Sequence, residues 1–255
     1  MTMWRGKLRK IERLEFVLAG AQKSGTTALH YFLSRHPNIT MGDQQEIHFF
    51  DNDALFVSEV DYEELHKHYP PLSPSIIAGD CTPSYIYHEP APERIWKYNP
   101  RTKLLILLRN PVDRAFAHWN MQRFRGREPL DFSDAVREEK TRIAGAPPAE
   151  ARRFAYVDRG FYGQQLEHLL KFFPRNQLKV VKFEDFRDKP REALTSIFSF
   201  LSLEPLRSVR SKDRNIVPYE RAMNWEEKVF LYNLFEEDIA KLEGLLGWDC
   251  SDWKL

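Results

Sequence analysis

The chain has 255 residues and a formal net charge of +1, with 42% hydrophobic and 29% charged residues. This length suits one large α/β domain or two small domains, and the near-neutral charge gives no global field toward nucleic acid or membranes. Cys81 and Cys250 form no disulfide framework, and no run of about 18 apolar residues could span a membrane. Because the basic start has no apolar run typical of a signal peptide, we expect a cytoplasmic protein.

Apolar runs and helical periodicity predict an alternation of strands and helices along the chain. Strands are predicted at residues 15–20, 76–79, 103–109 and 178–183, and helices at 28–33, 111–125, 132–143, 161–173, 192–201 and 225–246. This order predicts an α/β fold, a single domain over 1–255 (core about 15–250) with a central parallel sheet flanked by helices. Residues 44–74 and 202–223 are predicted to be irregular, and such long segments commonly carry the functional site.

The first predicted strand and helix flank a short polar segment, residues 20–27 (GAQKSGTT). Backbone N–H groups at a helix start attract an anion, and Gly25 lets the backbone approach it closely. Lys23 adds a positive charge, and three hydroxyl donors follow it, on Ser24, Thr26 and Thr27. The sequence therefore predicts a P-loop-like phosphate-binding strand–loop–helix. Because Thr26 occupies the position of the Walker A lysine, a kinase or ATPase is disfavoured.

Residues 23–27 (KSGTT) resemble the 5′-phosphosulfate loop of PAPS-dependent sulfotransferases, in the branch of the heparan sulfate sulfotransferases and their bacterial relatives. The resemblance implies the donor PAPS (3′-phosphoadenosine 5′-phosphosulfate), the product PAP and no metal. It places Lys23 at the oxygen between sulfate and 5′-phosphate. Negative charge grows on that oxygen as the S–O bond breaks, so a cation there stabilises the transition state more than the ground state.

A second anion-binding motif follows the third predicted strand, in residues 104–119 (LLILLRNPVDRAFAHW). An arginine at the end of a buried strand is well placed to bind a phosphate. The segment resembles the family's 3′-phosphate motif, R-[ND]-P-x-[ED]-R-x-x-S, in which Arg109 matches the phosphate-binding arginine and Arg114 a more structural one. Ala117 replaces the motif's serine, and the loss of one neutral hydroxyl donor costs about 0.5–1.5 kcal/mol.

Residues 45–50 (QEIHFF) resemble the family's E-x-H-F-F segment, which implies that Glu46 is the catalytic base. A hydroxyl acceptor must lose a proton as it attacks sulfur, and a carboxylate suits that role. His48 is either a rival base or, as we favour, a hydrogen-bonded core histidine. Residues 79–85 (GDCTPSY) resemble a segment near the acceptor, with Asp80 in place of the usual glutamate and Cys81 where some heparan enzymes have lysine.

Two further groups of basic residues are candidates for anion binding. Residues 211–216 (SKDRNI) lie where the family closes a basic loop over the nucleotide, which makes Lys212 and Arg214 candidates. The alternative is that residues 211–216 form a solvated surface loop without a role in binding. The second group predicts either a groove that binds anions or a set of solvated surface charges. Its members are Trp119, Arg123, Phe124, Arg125, Arg127, Arg142, Arg152 and Arg153.

The resemblance covers residues 16–253 and implies in-line transfer of a sulfuryl group from PAPS to an acceptor hydroxyl. The expected partners are the nucleotide donor and a glycan, lipid or small metabolite, with no nucleic acid. Two alternatives stay open. A P-loop nucleotide kinase would depend on magnesium. A catalytically inactive nucleotide-binding protein would bind the donor without turnover. The sequence leaves open which acceptor is used, whether oxygen or nitrogen is sulfated, and which oligomeric state the protein has.

Overall fold

The computed structural model of the protein describes residues 8–208 and 217–255. The described chain divides into two compact units. The first holds residues 8–21, 25–107 and 168–208, and the second holds 22–24, 108–167 and 217–255. The predicted single domain over 1–255 stays a prediction.

A five-stranded sheet forms the centre of the first unit. Its strands are β1 (Phe16–Gly20), β2 (Ile39–Met41), β3 (Ile77–Cys81), β4 (Lys103–Leu108) and β5 (Leu178–Lys182), in the order β2-β3-β1-β4-β5. β1 pairs in parallel with β3 and with β4, and β2 pairs in parallel with β3. All of β1 and all but the first residue of β4 are buried, as expected of central strands that read as continuous apolar runs. The predicted α/β class is confirmed.

The helices connect and cover these strands. In chain order they are α1 (Thr26–Leu33), α2 (Glu63–His66), α3 (Ala91–Tyr98), α4 (Pro111–Phe124), α5 (Phe132–Ile143), α6 (Pro148–Phe154), α7 (Tyr162–Leu170), α8 (Phe183–Asp188), α9 (Pro190–Phe200) and α10 (Trp225–Leu246). In the first unit, α1 and α9 pack on the sheet through a core that includes Phe16, Leu29, Leu105 and Phe198. No helix in the described ranges is long and apolar enough to cross a membrane.

The second unit is organised around α4, which is buried along most of its length. The segment that precedes α10 contacts α4 through hydrogen bonds and a ring stack. The Asn120 side chain donates to the carbonyl of Pro218 at 3.0 Å and accepts from the Glu220 N–H at 3.1 Å. The Tyr219 ring stacks on Phe116 with a centroid separation of 5.6 Å. These contacts fix the backbone of residues 218–220 against α4.

The predicted elements agree with the structure except at short segments. The four predicted strands and the helices at 111–125, 132–143 and 225–246 are confirmed, with bounds shifted by at most two residues. α1 begins at Thr26, two residues before its predicted start, and β3 continues to Cys81, so Asp80 lies in a strand. Residues 44–74 are not wholly irregular, since they contain a 3₁₀ turn at Asp53–Phe56 and α2.

The elements that the sequence analysis missed are short ones. They are β2, α2, α3, α6 and α8. β2 has three residues and α2 has four, too few for a period to be recognised. α6 begins at Pro148, and proline is a residue type that helices accommodate in their first turn.

Candidate active site

The loop between β1 and α1 has the geometry of an anion-binding turn. Gly25 is the N-cap of α1 with φ 89°, a left-handed conformation that favours glycine, and no side chain caps the helix. Lys23 also has a positive φ, 67°, which costs energy for a residue with a Cβ. The free N–H groups of the first helical turn therefore face no competing side-chain acceptor.

Lys23 lies in a cluster of positive charges within the second unit. Burial is the main cause that lowers the pKa of Lys23 to about 8, and the charges of Arg109, Arg125 and Arg114 lower it further. In the described part of the chain, no carboxylate lies within ion-pair distance of Lys23. Like charges that lie close together in a partly buried place repel one another. Because a bound polyanion relieves this repulsion, the cluster favours the binding of a polyanion.

Ser24 adds a buried, uncommitted hydroxyl to the same unit. Its side chain is fully buried, and its Oγ has no hydrogen-bond partner among residues 8–208 and 217–255. Buried polar atoms are nearly always hydrogen-bonded, so an orphaned hydroxyl beside Lys23 fits a site whose ligand supplies the partner. The charge of the cluster and this hydroxyl both suit a phosphate or sulfate group.

Arg109 directly follows β4, where the sequence predicted it. The next residue, Asn110, caps α4 by accepting the Val112 N–H at 3.0 Å, so the strand-to-helix turn is well defined. Ala117 is buried at 4% exposure inside α4. Arg114 is fully buried and donates to the carbonyl of Tyr156, which supports the structural role expected for it.

The suggested groove of arginines is corrected in part. Arg123 binds Glu220 through two hydrogen bonds of 2.9 Å, and Arg142 pairs with Glu128 at 2.7 Å, so both charges are already compensated. Trp119 is buried at 1% exposure and does not line a surface. Arg125, by contrast, lies near enough to Lys23 to lower its pKa.

In the first unit, His48 bridges two carboxylates. Its Nε2 lies 3.2 Å from Glu46 Oε2, and its Nδ1 lies 3.0 Å from Oδ2 of the buried Asp51. The hydrogen bonds with Asp51 and then Glu46 raise the pKa of His48 to about 9, so the imidazole is protonated at neutral pH. The side chains of His48 and Glu46 are each 45% exposed, so the expectation of a core histidine is wrong, although its hydrogen bonds are as expected.

A buried polar network supports the backbone of this segment. The Tyr85 hydroxyl accepts the N–H groups of Phe49 and Phe50 at 3.1 and 3.4 Å. Thr82 Oγ1 donates to Asp80 at 3.1 Å and lies 3.4 Å from the His48 N–H. Burial raises the pKa of Asp80 to about 6, against hydrogen bonds from Tyr85 and Thr82 that lower it. The segment 79–85 thus holds residues 48–50 in place.

Three residues at the candidate site were not identified from the sequence. Asp51 follows the aromatic pair, and the spacing H-x-x-D was its only signal. Ser84, whose hydroxyl donates to Asp51 Oδ2 at 2.5 Å, lay unmarked within a recognised segment. Gln45 gave no signal, yet its Nε2 donates to Thr27 Oγ1 at 3.0 Å, which links residues 45–51 to the start of α1.

The structure groups the predicted residues by unit. Thr26 and Thr27 belong with Glu46 and His48 to the first unit, whereas Lys23, Ser24 and Arg109 belong to the second. Lys212 and Arg214 lie outside the described residues. Over residues 8–208 and 217–255, no cluster of three or more His, Cys, Asp or Glu side chains could hold a metal ion.

Comparisons with known proteins agree with these motifs. A family model described as "Sulfotransferase domain" matches residues 14–216. The heparan sulfate glucosamine 3-O-sulfotransferase 5 of Homo sapiens is 33% identical over 189 residues, which are 74% of this chain and 53% of that protein. The membrane-associated sulfotransferase kil1 of Dictyostelium discoideum is 24% identical over 92% of this chain and 65% of its own length. The chain therefore spans half to two thirds of these relatives.

A solved structure has the same fold over nearly the whole chain. The crystal structure of a sulfotransferase from Alicyclobacillus acidocaldarius matches with a TM-score of 0.80 and 28% identity, covering 95% of this chain and 99% of that one. This agreement in fold, together with the family model, favours the sulfotransferase interpretation over a P-loop kinase.

Proposed function

Because the chain belongs to the sulfotransferase domain family, we propose that it transfers the sulfuryl group of PAPS to an acceptor hydroxyl and releases PAP. The observation that carries this proposal is the site of Lys23, where burial and then the charges of Arg109, Arg125 and Arg114 lower its pKa, next to the buried, unpartnered hydroxyl of Ser24. A donor with a 5′-phosphosulfate and a 3′-phosphate carries negative charges that such a cationic cluster attracts.

The residues of the phosphate loop bind the donor in this proposal. Lys23 binds the oxygen between sulfur and the 5′-phosphate, where its ammonium stabilises the charge that develops as the S–O bond breaks. Arg109 binds the 3′-phosphate. Backbone N–H groups at Gly25 and the start of α1, with the hydroxyls of Ser24, Thr26 and Thr27, donate to the phosphosulfate oxygens. Lys212 and Arg214 stay predicted nucleotide contacts.

Glu46 is the base on the acceptor side. As the acceptor oxygen forms its bond to sulfur, the Glu46 carboxylate takes the hydroxyl proton, and the electrons of the broken S–O bond leave on the 5′-phosphate of PAP. His48 already carries a proton at neutral pH, so it is a poor base there. Its contacts with Glu46 and Asp51 instead make it the group that orients the Glu46 carboxylate.

A glycan hydroxyl is the acceptor class we place first, ahead of a lipid or a small metabolite. Its support is the 33% identity to a protein named heparan sulfate glucosamine 3-O-sulfotransferase 5. Because this chain covers 53% of that relative, the acceptor is a proposal for this chain rather than a transferred property.

Turnover of PAPS by the purified full chain tests the proposal. PAP release is measured with N-deacetylated and N-sulfated glycan acceptors, for the wild type and for Glu46→Gln. We expect Glu46→Gln to lower kcat by about 10²–10⁴-fold, the usual contribution of a general base, while PAP still binds. Glu93→Gln is the matched control, because Glu93 is a helix-surface residue paired with Lys97.

The other outcomes identify the alternatives. If Glu46→Gln turned over PAPS at the wild-type rate, Glu46 would not be the base. PAP binding without turnover on any acceptor would indicate an inactive nucleotide-binding protein, and a magnesium requirement would indicate a kinase-like activity.

A further inference from the structure

Gln45 connects the segment that carries Glu46 to the first turn of α1. Its side-chain amide donates from Nε2 to Thr27 Oγ1 at 3.0 Å, and both side chains are half-buried in the first unit. The neighbouring Gln44 is exposed and has no side-chain hydrogen bond in the described ranges. The contact is therefore particular to Gln45 and not a general property of this stretch.

The direction of this hydrogen bond determines what the Thr27 hydroxyl can do. A hydroxyl has one proton to donate and two lone pairs to accept with. By accepting from Gln45, Thr27 keeps its proton for another acceptor, and none is found for it among residues 8–208 and 217–255. The N-terminus of α1 has no side-chain cap either, so this proton and the helix N–H groups are donors at the same end of the helix.

The same residue also limits where Glu46 can lie. Residues 45–51 are attached before Glu46 by the Gln45–Thr27 bond, and after it by the N–H groups of His48 and Phe49, which donate to Thr82 Oγ1 at 3.4 Å and to the Tyr85 hydroxyl at 3.1 Å. The peptide of Glu46 lies between these two attachments. Without the Gln45 bond, the nearest attachment before Glu46 is at Asp43, whose N–H donates to the His68 carbonyl at 3.0 Å.

We propose that Gln45 is a positioning residue, one that directs the Thr27 hydroxyl proton toward the anionic donor and holds Glu46 next to the donor-binding helix. The proposal rests on the proposed function, since it assumes a phosphosulfate at the start of α1 and a base at Glu46. The side-chain amide of Gln45 would couple donor binding at Thr27 to the position of the base, Glu46.

A double-mutant cycle on Gln45 and Thr27 tests the coupling. PAP affinity is measured by calorimetry, and kcat and KM by PAP release, for Gln45→Ala, Thr27→Val and the double variant. We expect Gln45→Ala to weaken PAP binding by about two- to tenfold, the effect of one neutral hydrogen bond, and to lower kcat. In the Thr27→Val background the further effect on PAP affinity should vanish, while the effect on kcat should remain.

Two controls separate positioning from folding. Gln44→Ala should leave PAP affinity, kcat and the melting temperature unchanged. In a Thr27→Ser background, which keeps the hydroxyl, Gln45→Ala should again weaken PAP binding.

The proposal is overturned if the effects of Gln45→Ala and Thr27→Val on PAP affinity multiply independently, or if Gln45→Ala changes neither affinity nor kcat. A wild type that binds no PAP would instead overturn the proposed function itself, and this inference with it.

Discussion

Lys23 and His48 have pKa values displaced in opposite directions by their surroundings. Burial and three arginines lower the pKa of Lys23 to about 8, whereas Asp51 and Glu46 raise the pKa of His48 to about 9. The positive surroundings of Lys23 favour the binding of an anion, and the two carboxylates keep His48 protonated. Each displacement gives a measurable pH dependence.

The pH dependence of PAP binding reports the protonation of Lys23. The anion binds the protonated lysine, so above about pH 8 the free protein must take up a proton to bind. We expect the association constant to fall by up to about tenfold per pH unit above that value, by linkage. Calorimetry from pH 6.5 to 9.5 measures this slope. Lys23→Arg keeps its charge over this range, and an equal slope in that variant would contradict the assignment.

The titration of His48 tests the bridge between Glu46 and Asp51. Because its folded-state pKa of about 9 lies above the ordinary histidine value of 6.5, its stabilising contribution is fully present below pH 6.5 and is lost as the pH rises through 9. We expect NMR to find this pKa in the wild type and a lower one in Asp51→Asn. The difference in melting temperature between the wild type and His48→Asn should shrink from pH 6 to pH 10. A His48 pKa near 6.5 would contradict the bridge.

At the scale of elements, the segment after β3 supports the segment that carries Glu46. The Tyr85 hydroxyl, fully buried, accepts the N–H groups of Phe49 and Phe50. Tyr85→Phe removes this acceptor and leaves two backbone donors without their partner, which costs about 1–3 kcal/mol. We expect a lower free energy of unfolding in urea and a lower kcat, with PAP affinity retained.

A matched control distinguishes this support from a general effect of removing a hydroxyl. Tyr232 is half-buried on the helix α10, and its hydroxyl makes one long hydrogen bond of 3.4 Å to Glu236. Tyr232→Phe should change the free energy of unfolding by less than about 0.5 kcal/mol, as is usual for surface substitutions. An equally small effect of Tyr85→Phe would show that residues 49 and 50 do not depend on it.

The same element shows where prediction from sequence stops. β3 was predicted from its apolar start, and residues 79–85 from their motif, because both signals lie within a few neighbouring residues. The hydrogen bonds that the N–H groups of residues 48–50 donate to Thr82 and Tyr85 join positions more than thirty residues apart in sequence. No local pattern encodes such a pairing, and the bond between Gln45 and Thr27, 18 residues apart, was missed for the same reason.

At the scale of the whole molecule, the α/β class was predicted from the sequence and is confirmed. Apolar runs identified the strands because parallel strands are buried on both faces. Lys23 and Arg109 stay predicted donor contacts, which rest on their charge and on the resemblance of their motifs to the family. The environment that displaces the pKa of Lys23 depends on Arg125, sixteen residues beyond Arg109, and required the fold.

We propose that this protein recognises a nucleotide with phosphates at both the 5′ and the 3′ position. Calorimetry of the full chain with PAP and with 5′-AMP tests it most directly, in the wild type, Lys23→Ala and Arg109→Ala, with Arg137→Ala as a control at an exposed arginine. We predict that PAP binds far more tightly than 5′-AMP, that Lys23→Ala and Arg109→Ala each weaken PAP binding, and that Arg109→Ala removes most of the preference for PAP. Equal, weak binding of PAP and 5′-AMP would contradict the account.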